Sequence, residues 1–285
     1  MGKLQFSGHE SFHCRQFWLK KGFDFIQSGK RFSEESAVVD LGVGKNMVTS
    51  IRFWMRSFDL LDEKDRLTSI AKKLFDDNGF DPYLEDEGTL WLLHYHLTKN
   101  NLASSFNLIF TQLRKSKPEF ERRHFYALIS DKGKFSEATL TKDYSVFQNT
   151  YVASMSNKSE IEDSFSGILT ELDLVTLKRI ESKTDLLIIE SKRRPEIPSE
   201  IILYAILENE DYGNSINFEK LLTEPTSVGT IFALNREGLT EKLEEITKHK
   251  KFSKNVVFKN EAGIRELQFS SKPKVFDVLA HYYDR

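Results

Sequence analysis

Apolar residues in the first part of the chain recur at helical spacing and are separated by short polar turns. The segment 18–27 has the pattern of an amphipathic helix, and a second helix is expected after Ser33, a favourable N-cap residue. A third helix is expected over Asn46 to Phe58, because four apolar residues there fall on one face. The stripes that these two helices should bury are Ala37, Val38 and Leu41, and Val48, Ile51, Met55 and Phe58.

A tight turn and a short hairpin frame the third helix. Gly42 and Gly44 lie between the second and third helices, where glycine can supply the positive φ that a tight turn needs. Leucines flank the polar run 62–65, which is typical of two very short strands, and Thr68 is placed to cap a fourth helix. The order over Phe32 to Leu74 predicts a winged helix-turn-helix, a module that most often places one helix in the major groove of DNA.

The remainder of the chain is mostly apolar in helical patterns, with a few strand-like segments. Further helices are expected at 89–97, 102–113, 120–129, 135–152, 200–207 and within 216–246. Strands are expected at Leu174–Leu177 and Asp185–Ser191, paired across 179–184, and at Val256–Lys259 and Ile264–Phe269 as a second hairpin.

The predicted fold is mainly α with small β-hairpins. It combines an N-terminal winged helix-turn-helix with a larger helical C-terminal region, in which a second winged-helix-like unit is a candidate. Turn-rich sequence near residue 78 and prolines near residue 195 suggest the division into domains. The expected domains are 1–78, 79–195 and 196–285.

Composition narrows the classes of function. The 285 residues carry a formal net charge of −2, so any contact with DNA must come from a local patch rather than from a basic surface throughout. Cys14 is the single cysteine, which excludes an internal disulfide and fits a reducing compartment. No apolar run has the length of a signal peptide or of a membrane span, so we expect a cytoplasmic protein without membrane contact.

The polar face of the third helix carries the residue types that contact DNA. Arginine and lysine bind phosphates and guanine edges, while asparagine and hydroxyl side chains reach base edges or phosphate oxygens. The candidate DNA-binding residues are Lys45, Asn46, Thr49, Ser50, Arg52 and Arg56. Winged helices also serve as protein-interaction modules, and Phe53 on the same face keeps open a docking scaffold or regulatory subunit that binds a partner enzyme.

His9, Glu10 and His13 match the pattern H-E-x-x-H, which on a helix gives two zinc ligands and a general base. A zinc-dependent hydrolase is therefore a third hypothesis. The context disfavours it, because the motif follows Ser7-Gly8 near the start of the chain and has no preceding sheet. The simpler interpretation is that His9 and Glu10 hydrogen-bond an N-terminal segment onto the core.

Other chemistry-bearing residues give weaker indications. Gly42 to Asn46 lacks the spacing and the Ser/Thr of a phosphate-binding loop, and His94 and His96 are expected in the core or at its boundary. Two basic clusters are candidates for phosphate contacts, although such clusters are more often solvated helix ends. They are Lys192, Arg193 and Arg194, and Lys248, Lys250, Lys251 and Lys254.

Several motifs together resemble a bacterial family known as domain of unknown function 4007. They are 6–12 (FSGHESF), 18–22 (WLKKG), 41–48 (LGVGKNMV), 50–52 (SIR), 84–86 (LED), 89–94 (TLWLLH), 149–152 (NTYV) and 227–229 (SVG) with Phe232. His13 stands where the family pattern has proline, so the resemblance does not extend to a zinc site. It implies an association with defence islands and with enzymes of DNA phosphorothioation, and it assigns no activity.

The sequence therefore favours a DNA-binding, non-catalytic component of a bacterial DNA-modification system of the phosphorothioation type, or of an anti-phage system. We expect double-stranded DNA and proteins of such a complex as partners. No catalytic residue, metal ligand or cofactor is assigned.

Overall fold

The structure is a computed structural model that describes residues 4–153, 167–179, 185–261 and 263–284. It confirms a mainly α protein with small antiparallel β elements. The chain forms two compact units, Met1–Ile189 and Glu190–Arg285. The three-domain division at residues 78 and 195 stays a prediction.

Four helices at the start of the first unit pack together, and they follow the predicted order along the chain. They are α1 (Trp18–Gln27), α2 (Ala37–Leu41), α3 (Lys45–Ser57) and α4 (Ser69–Phe75). Gly42, at φ 60°, ends α2 in the left-handed conformation, and Gly44 is the N-cap residue of α3. The Thr68 hydroxyl accepts a hydrogen bond from the Ala71 N–H at 3.3 Å, as expected of an N-cap residue.

The prediction of which apolar residues α3 buries is correct. Val48, Ile51, Met55 and Phe58 are all buried. Two details of α2 were wrong, because this helix begins at Ala37 rather than directly after Ser33, and Val38 is 37% exposed instead of buried. The predicted hairpin between α3 and α4 is reduced to one antiparallel bridge, Leu61 to Leu67. The winged-helix assignment of this segment stays an interpretation.

Helices make up most of the rest of the first unit. They are α5 (Glu87–Lys99), α6 (Ser104–Leu108), a π-helical turn (Ile109–Leu113), α7 (Arg114–Ser116), α8 (Arg122–Ser130), α9 (Glu137–Tyr151) and a 3₁₀ turn (Thr170–Leu172). Every residue of α5 from Gly88 to Thr98 is buried, so this helix lies inside the unit with no solvent face. His94 and His96 are accordingly core residues, as expected.

A three-stranded antiparallel sheet completes the first unit. Its strands are β1 (Glu119–Phe120), β2 (Thr176–Arg179) and β3 (Asp185–Ile188), in the order β1-β3-β2. Leu177 lies opposite Leu187, so the predicted pairing of these two segments is confirmed. The expected turn between them includes residues 180–184, which lie outside the described residues.

The second unit follows the order helix, strand, helices, hairpin, helix. Its elements are α10 (Ser199–Glu208), β4 (Ser215–Asn217), α11 (Phe218–Thr223), α12 (Val228–Ile231), α13 (Arg236–Lys248), β5 (Val256–Glu261), β6 (Ile264–Phe269) and α14 (Val275–Tyr283). The sheet has the order β4-β6-β5, which confirms the predicted hairpin of β5 and β6. Whether this unit acts as a second winged helix stays a prediction.

Within the described ranges, no helix has both the length and the apolar character needed to cross a membrane.

Candidate nucleic-acid interface

The outer side of α3 carries a polar stripe without acidic residues. Lys45, Asn46, Thr49 and Arg52 are exposed, and the Arg56 side chain is 29% exposed. Positions 45, 49, 52 and 56 are spaced four, three and four residues apart, so they follow one face of the helix. We call these five residues the α3 stripe. Three cations and two hydrogen-bonding side chains on one helix face can contact phosphates and base edges.

Two residues expected on this face lie elsewhere. Ser50 is fully buried, because it shares a helix side with Trp54 and Ser57, which are also fully buried. Phe53 is 9% exposed, and its ring packs edge-on to the His9 ring at 5.7 Å between centroids. Ser50 is therefore removed from the candidate interface, and Phe53 cannot be the exposed docking anchor that the sequence suggested.

Asp65 holds both arginines of the α3 stripe. Its carboxylate accepts hydrogen bonds from Arg52 Nε at 2.9 Å and from Arg56 Nε at 2.7 Å. Arg56 also donates to the carbonyl oxygen of Glu63 at 2.7 Å, so the turn between Leu61 and Leu67 is fastened to α3. One negative charge thus lies against two positive ones, which leaves the stripe positive while ordering its guanidinium groups.

Asp62 stabilises that same turn from within. Its carboxylate accepts the backbone N–H groups of Lys64 at 2.8 Å and Arg66 at 2.9 Å, and the Arg66 Nε–H at 2.7 Å. These hydrogen bonds, the backbone one from Arg66 first, lower the pKa of Asp62 to about 2. The carboxylate therefore stays ionised, and the turn keeps its shape, throughout the neutral range.

The H-E-x-x-H segment does not form a metal site. Residues 7–11 form a turn rather than a helix, with positive φ at Ser7, Glu10 and Ser11. His9 is buried while Glu10 is exposed, and the ligand atoms of His9, Glu10 and His13 do not converge on one point. The zinc-hydrolase hypothesis is therefore not supported by the arrangement of these residues.

His9 instead belongs to a buried polar cluster centred on Asp143. His9 Nε2 lies 3.2 Å from Asp143 Oδ1, which also accepts the Ser7 N–H at 2.9 Å. The Ser105 hydroxyl donates to the other oxygen, Oδ2, at 3.1 Å. The hydrogen bond from this segment to Asp143 is therefore made by the Ser7 N–H, while His9 Nε2 lies beside the carboxylate without a hydrogen bond and Glu10 is exposed.

The basic residues 192–194 are engaged within the second unit. Arg194 is 1% exposed, and its guanidinium donates to the carbonyl oxygen of Glu190. Arg193 forms ion pairs with Glu237 and Glu241 of α13, at 3.5 and 2.5 Å, and Lys192 forms a backbone bridge with Leu234. The structure therefore brings none of the three into a phosphate-binding cluster with the others.

The longest helix of the second unit, α13, carries both acidic and basic side chains. Glutamates occupy positions 237, 241, 244 and 245 of α13, and Lys248 is paired with Glu244 at 3.1 Å. Lys250, Lys251 and Lys254 follow the helix and are exposed. Each of these glutamates is ion-paired, with Arg193, Lys242 or Lys248, so α13 carries balanced charge, whereas the charged residues of α3 are all basic.

A wide groove lies beside the turn between α2 and α3. It has a volume of about 970 Å³ and is lined by aromatic and aliphatic side chains together with Arg15, Lys21 and the polar residues Gln16, Thr170 and Glu171. Phe17 at its edge is 61% exposed, and Val38 is 37% exposed. We call it the apolar groove. Sequence reasoning missed it, because its walls come from segments that are distant in the chain.

A sequence model of the family described as "Protein of unknown function (DUF4007)" matches residues 6–283. Two solved structures with a similar fold are described as "Magnesium ion-bound SspB crystal structure" and "SspB crystal structure". Their sequence identities to this chain are 29% and 30%, and their TM-scores are 0.85 and 0.84. Each match covers 98% of this chain and 88% of the other.

No curated protein matches the sequence. The family match spans nearly the whole chain, and the structural matches agree with it over the same length. The chain therefore belongs to the DUF4007 family.

Proposed function

We propose that this chain binds duplex DNA through the α3 stripe, as a non-catalytic component of a bacterial DNA-modification system of the phosphorothioation type or of an anti-phage system. It would act in the cytoplasm beside partner proteins. The observation that carries the proposal is the acid-free helix face on which Lys45, Thr49 and Arg52 are exposed in one line. The likeness to the two SspB structures, over 98% of this chain, supports the choice of system.

The local geometry suits a major-groove contact. Gly44 precedes α3 and has no side chain to cap the first turn, so the N–H groups of Lys45 and Asn46 are available to a phosphate, while that of Met47 donates to the Gly44 carbonyl. Side chains one turn apart along α3 could then reach successive base pairs. Asp65 keeps Arg52 and Arg56 ordered beside them, which lowers the entropy lost when they meet phosphates.

Fluorescence anisotropy with labelled duplexes tests the proposal. Changing Lys45, Arg52 and Arg56 together to Ala should weaken binding at least ~10-fold at 50 mM salt, because three phosphate-neutralising charges are lost. A matched control changes the exposed Lys117, Lys134 and Lys142 to Ala and should bind as the parent chain does. Both series are run with and without Mg²⁺, since a related structure contains that ion. If the parent chain binds none of several unrelated duplexes, the proposal fails.

Docking of a partner enzyme is the second candidate, and the apolar groove favours it. Phe17 and Val38 leave apolar surface exposed beside this groove, which is the usual mark of an interaction site. Phe17→Ser with Val38→Ser should abolish co-purification with the partner enzyme that the parent chain recovers in the presence of nuclease. Unchanged recovery of that enzyme would refute docking at this groove.

A further inference from the structure

A second open groove in the first unit has five cations among its eleven lining residues. It has a volume of about 620 Å³ and lies between the segment after α1, the turn before Leu67, and α4. Its cationic residues are Lys30, Arg31, Lys64, Arg66 and Lys72. Asp65 is the one acidic residue in its lining, and Glu34 and Glu35 follow Ser33 in the chain without lining the groove. We call it the basic groove.

Three of these cations are not neutralised by a neighbour. Lys30 is paired with Asp40 at 2.8 Å, and Arg66 with Asp62 at 2.6 Å. In contrast, Arg31, Lys64 and Lys72 are exposed, and no carboxylate of the described residues lies within ion-pair distance of them. The carboxylate of Asp65 is already engaged by the two arginines of α3, so the groove keeps a positive charge.

The basic groove is continuous with the α3 stripe. Asp65 lines the groove and at the same time contacts Arg52 and Arg56, so the two positive surfaces meet at this residue. A ligand that covers the stripe and extends past the turn therefore passes over Lys64. A polyanion with regularly spaced charges fits two adjoining cationic surfaces better than a small anion does.

We propose that the basic groove binds the phosphate backbone of the same duplex that α3 contacts. This inference rests on the proposed function and adds to it a site that positions the duplex without reading its sequence. Arg31, Lys64 and Lys72 each neutralise a phosphate, while α3 contacts the base edges. The segment after α1, the turn and α4 thereby become part of the DNA-binding surface.

The salt dependence of duplex binding tests this inference on the full chain. Arg31, Lys64 and Lys72 are changed together to Gln, and log K is measured against log salt for three duplexes of unrelated sequence. The slope should become shallower by about 2 to 3, and affinity at low salt should fall to a similar extent on every duplex. The variant with Lys117, Lys134 and Lys142 changed to Ala should keep the parent slope. Lys64→Gln alone, which changes one exposed side chain, should reduce the slope by about 1.

Failure of the inference alone can be told apart from failure of the proposed function. If the parent chain binds DNA and the α3 variant weakens it, but the groove variants keep the parent slope, the inference fails and the proposed function stands. If the parent chain binds no duplex, both fail. Competition with polyglutamate distinguishes an acidic protein as the occupant. If the groove variants lose binding to polyglutamate but not to DNA, the groove is a protein site and the inference is refuted.

Discussion

Asp65 is the residue on which the charge of the interface depends most. It contacts both arginines of the α3 stripe and lines the basic groove. Its backbone has φ 57°, a conformation that aspartate and asparagine adopt more readily than most residues. Its carboxylate orders the arginines and also offsets part of their charge, and these two effects on DNA binding are opposed.

Asp65→Asn should raise affinity for duplex DNA by about 3- to 10-fold at low salt. Asparagine tolerates the same backbone conformation, and the change removes the carboxylate that pairs with Arg52 and Arg56. The gain should shrink as salt is added, because exposed charges are screened. Anisotropy against a salt series measures this, with Asp131→Asn as a control for an exposed carboxylate elsewhere in the same unit. Weaker binding would mean that ordering the arginines outweighs the lost repulsion.

The Asp143 cluster is a structural device rather than a site of chemistry. Asp143 is 1% exposed and accepts from Ser7 and Ser105 beside His9, so substrate has no access to it. The positive φ values at Ser7 and Glu10 show how tightly the segment turns to bring His9 there. The contacts around Asp143 explain why His9 lies in the packed interior.

Asp143→Ala should lower the free energy of unfolding by about 3 kcal/mol, because it leaves buried donors without an acceptor. Asp24→Ala, which removes an exposed ion pair with Lys20, should cost no more than about 1 kcal/mol. Urea denaturation followed by tryptophan fluorescence measures both. Equal losses of unfolding free energy for the two variants would show that the Asp143 cluster stabilises the fold no more than an exposed ion pair does.

The helical spacing of residues within α3 predicted its exposed side chains better than those that other segments cover. Lys45, Thr49 and Arg52 follow directly from helical spacing. The burial of Phe53 depends on the N-terminal segment, where a Cβ atom on Gly8 would lie 2.4 Å from the Phe53 ring. No periodicity within α3 encodes a contact made by residues 45 positions earlier, so this placement could not be predicted from the helix alone.

At the scale of elements, the position of α3 depends on its close packing against α1. A Cβ atom on Gly22 would meet Met55 Cγ at 3.0 Å and Ile51 Cγ2 at 3.1 Å. Glycine at this point therefore lets α1 approach the buried side of α3. Since the α3 stripe is the opposite side of the same helix, this contact sets how the stripe faces solvent.

Gly22→Val should lower the free energy of unfolding by about 1–3 kcal/mol, because the added methyl groups overpack the contact with Met55 and Ile51. The comparison variant is Gly213→Val, whose added Cβ meets no atom within 4 Å. Thermal unfolding monitored by circular dichroism gives the difference. A Gly22 variant as stable as the Gly213 variant would contradict the account of how α1 packs against α3.

The bounds of the helices were predicted well where the hydrophobic pattern extends over several helical turns. The pattern places α1 at residues 18–27 and α3 within one residue of its bounds. It failed for short elements, since α2 has five residues and the hairpin after α3 keeps one bridge. In such short segments, side-chain hydrogen bonds such as those of Asp62 decide the backbone path, and hydrophobic spacing carries little information.

At the scale of the whole molecule, a nearly neutral chain contains a helix, α3, whose charged residues are all basic. The longest helix of the second unit carries four exposed or half-exposed glutamates, whereas α3 in the first unit carries none. The net charge of −2 therefore does not exclude a local positive surface at α3. Composition predicted that DNA contact must be local, but only the structure located the basic groove beside α3.

The central claim, that α3 faces the duplex, can be tested by site-specific photocrosslinking. Cys14 is fully buried, and burial raises the pKa of its thiol, so it reacts poorly with maleimides. Thr49→Cys therefore provides the one reactive thiol, on the α3 stripe, for attachment of a benzophenone group. Lys134→Cys places the same group on an exposed residue outside both positive surfaces.

The account predicts that irradiation with labelled duplex crosslinks DNA through position 49 and not through position 134. The crosslink at 49 should disappear when Lys45, Arg52 and Arg56 are changed to Ala. Equal crosslinking at the two positions, or crosslinking through position 134 alone, would contradict the claim that α3 faces the DNA.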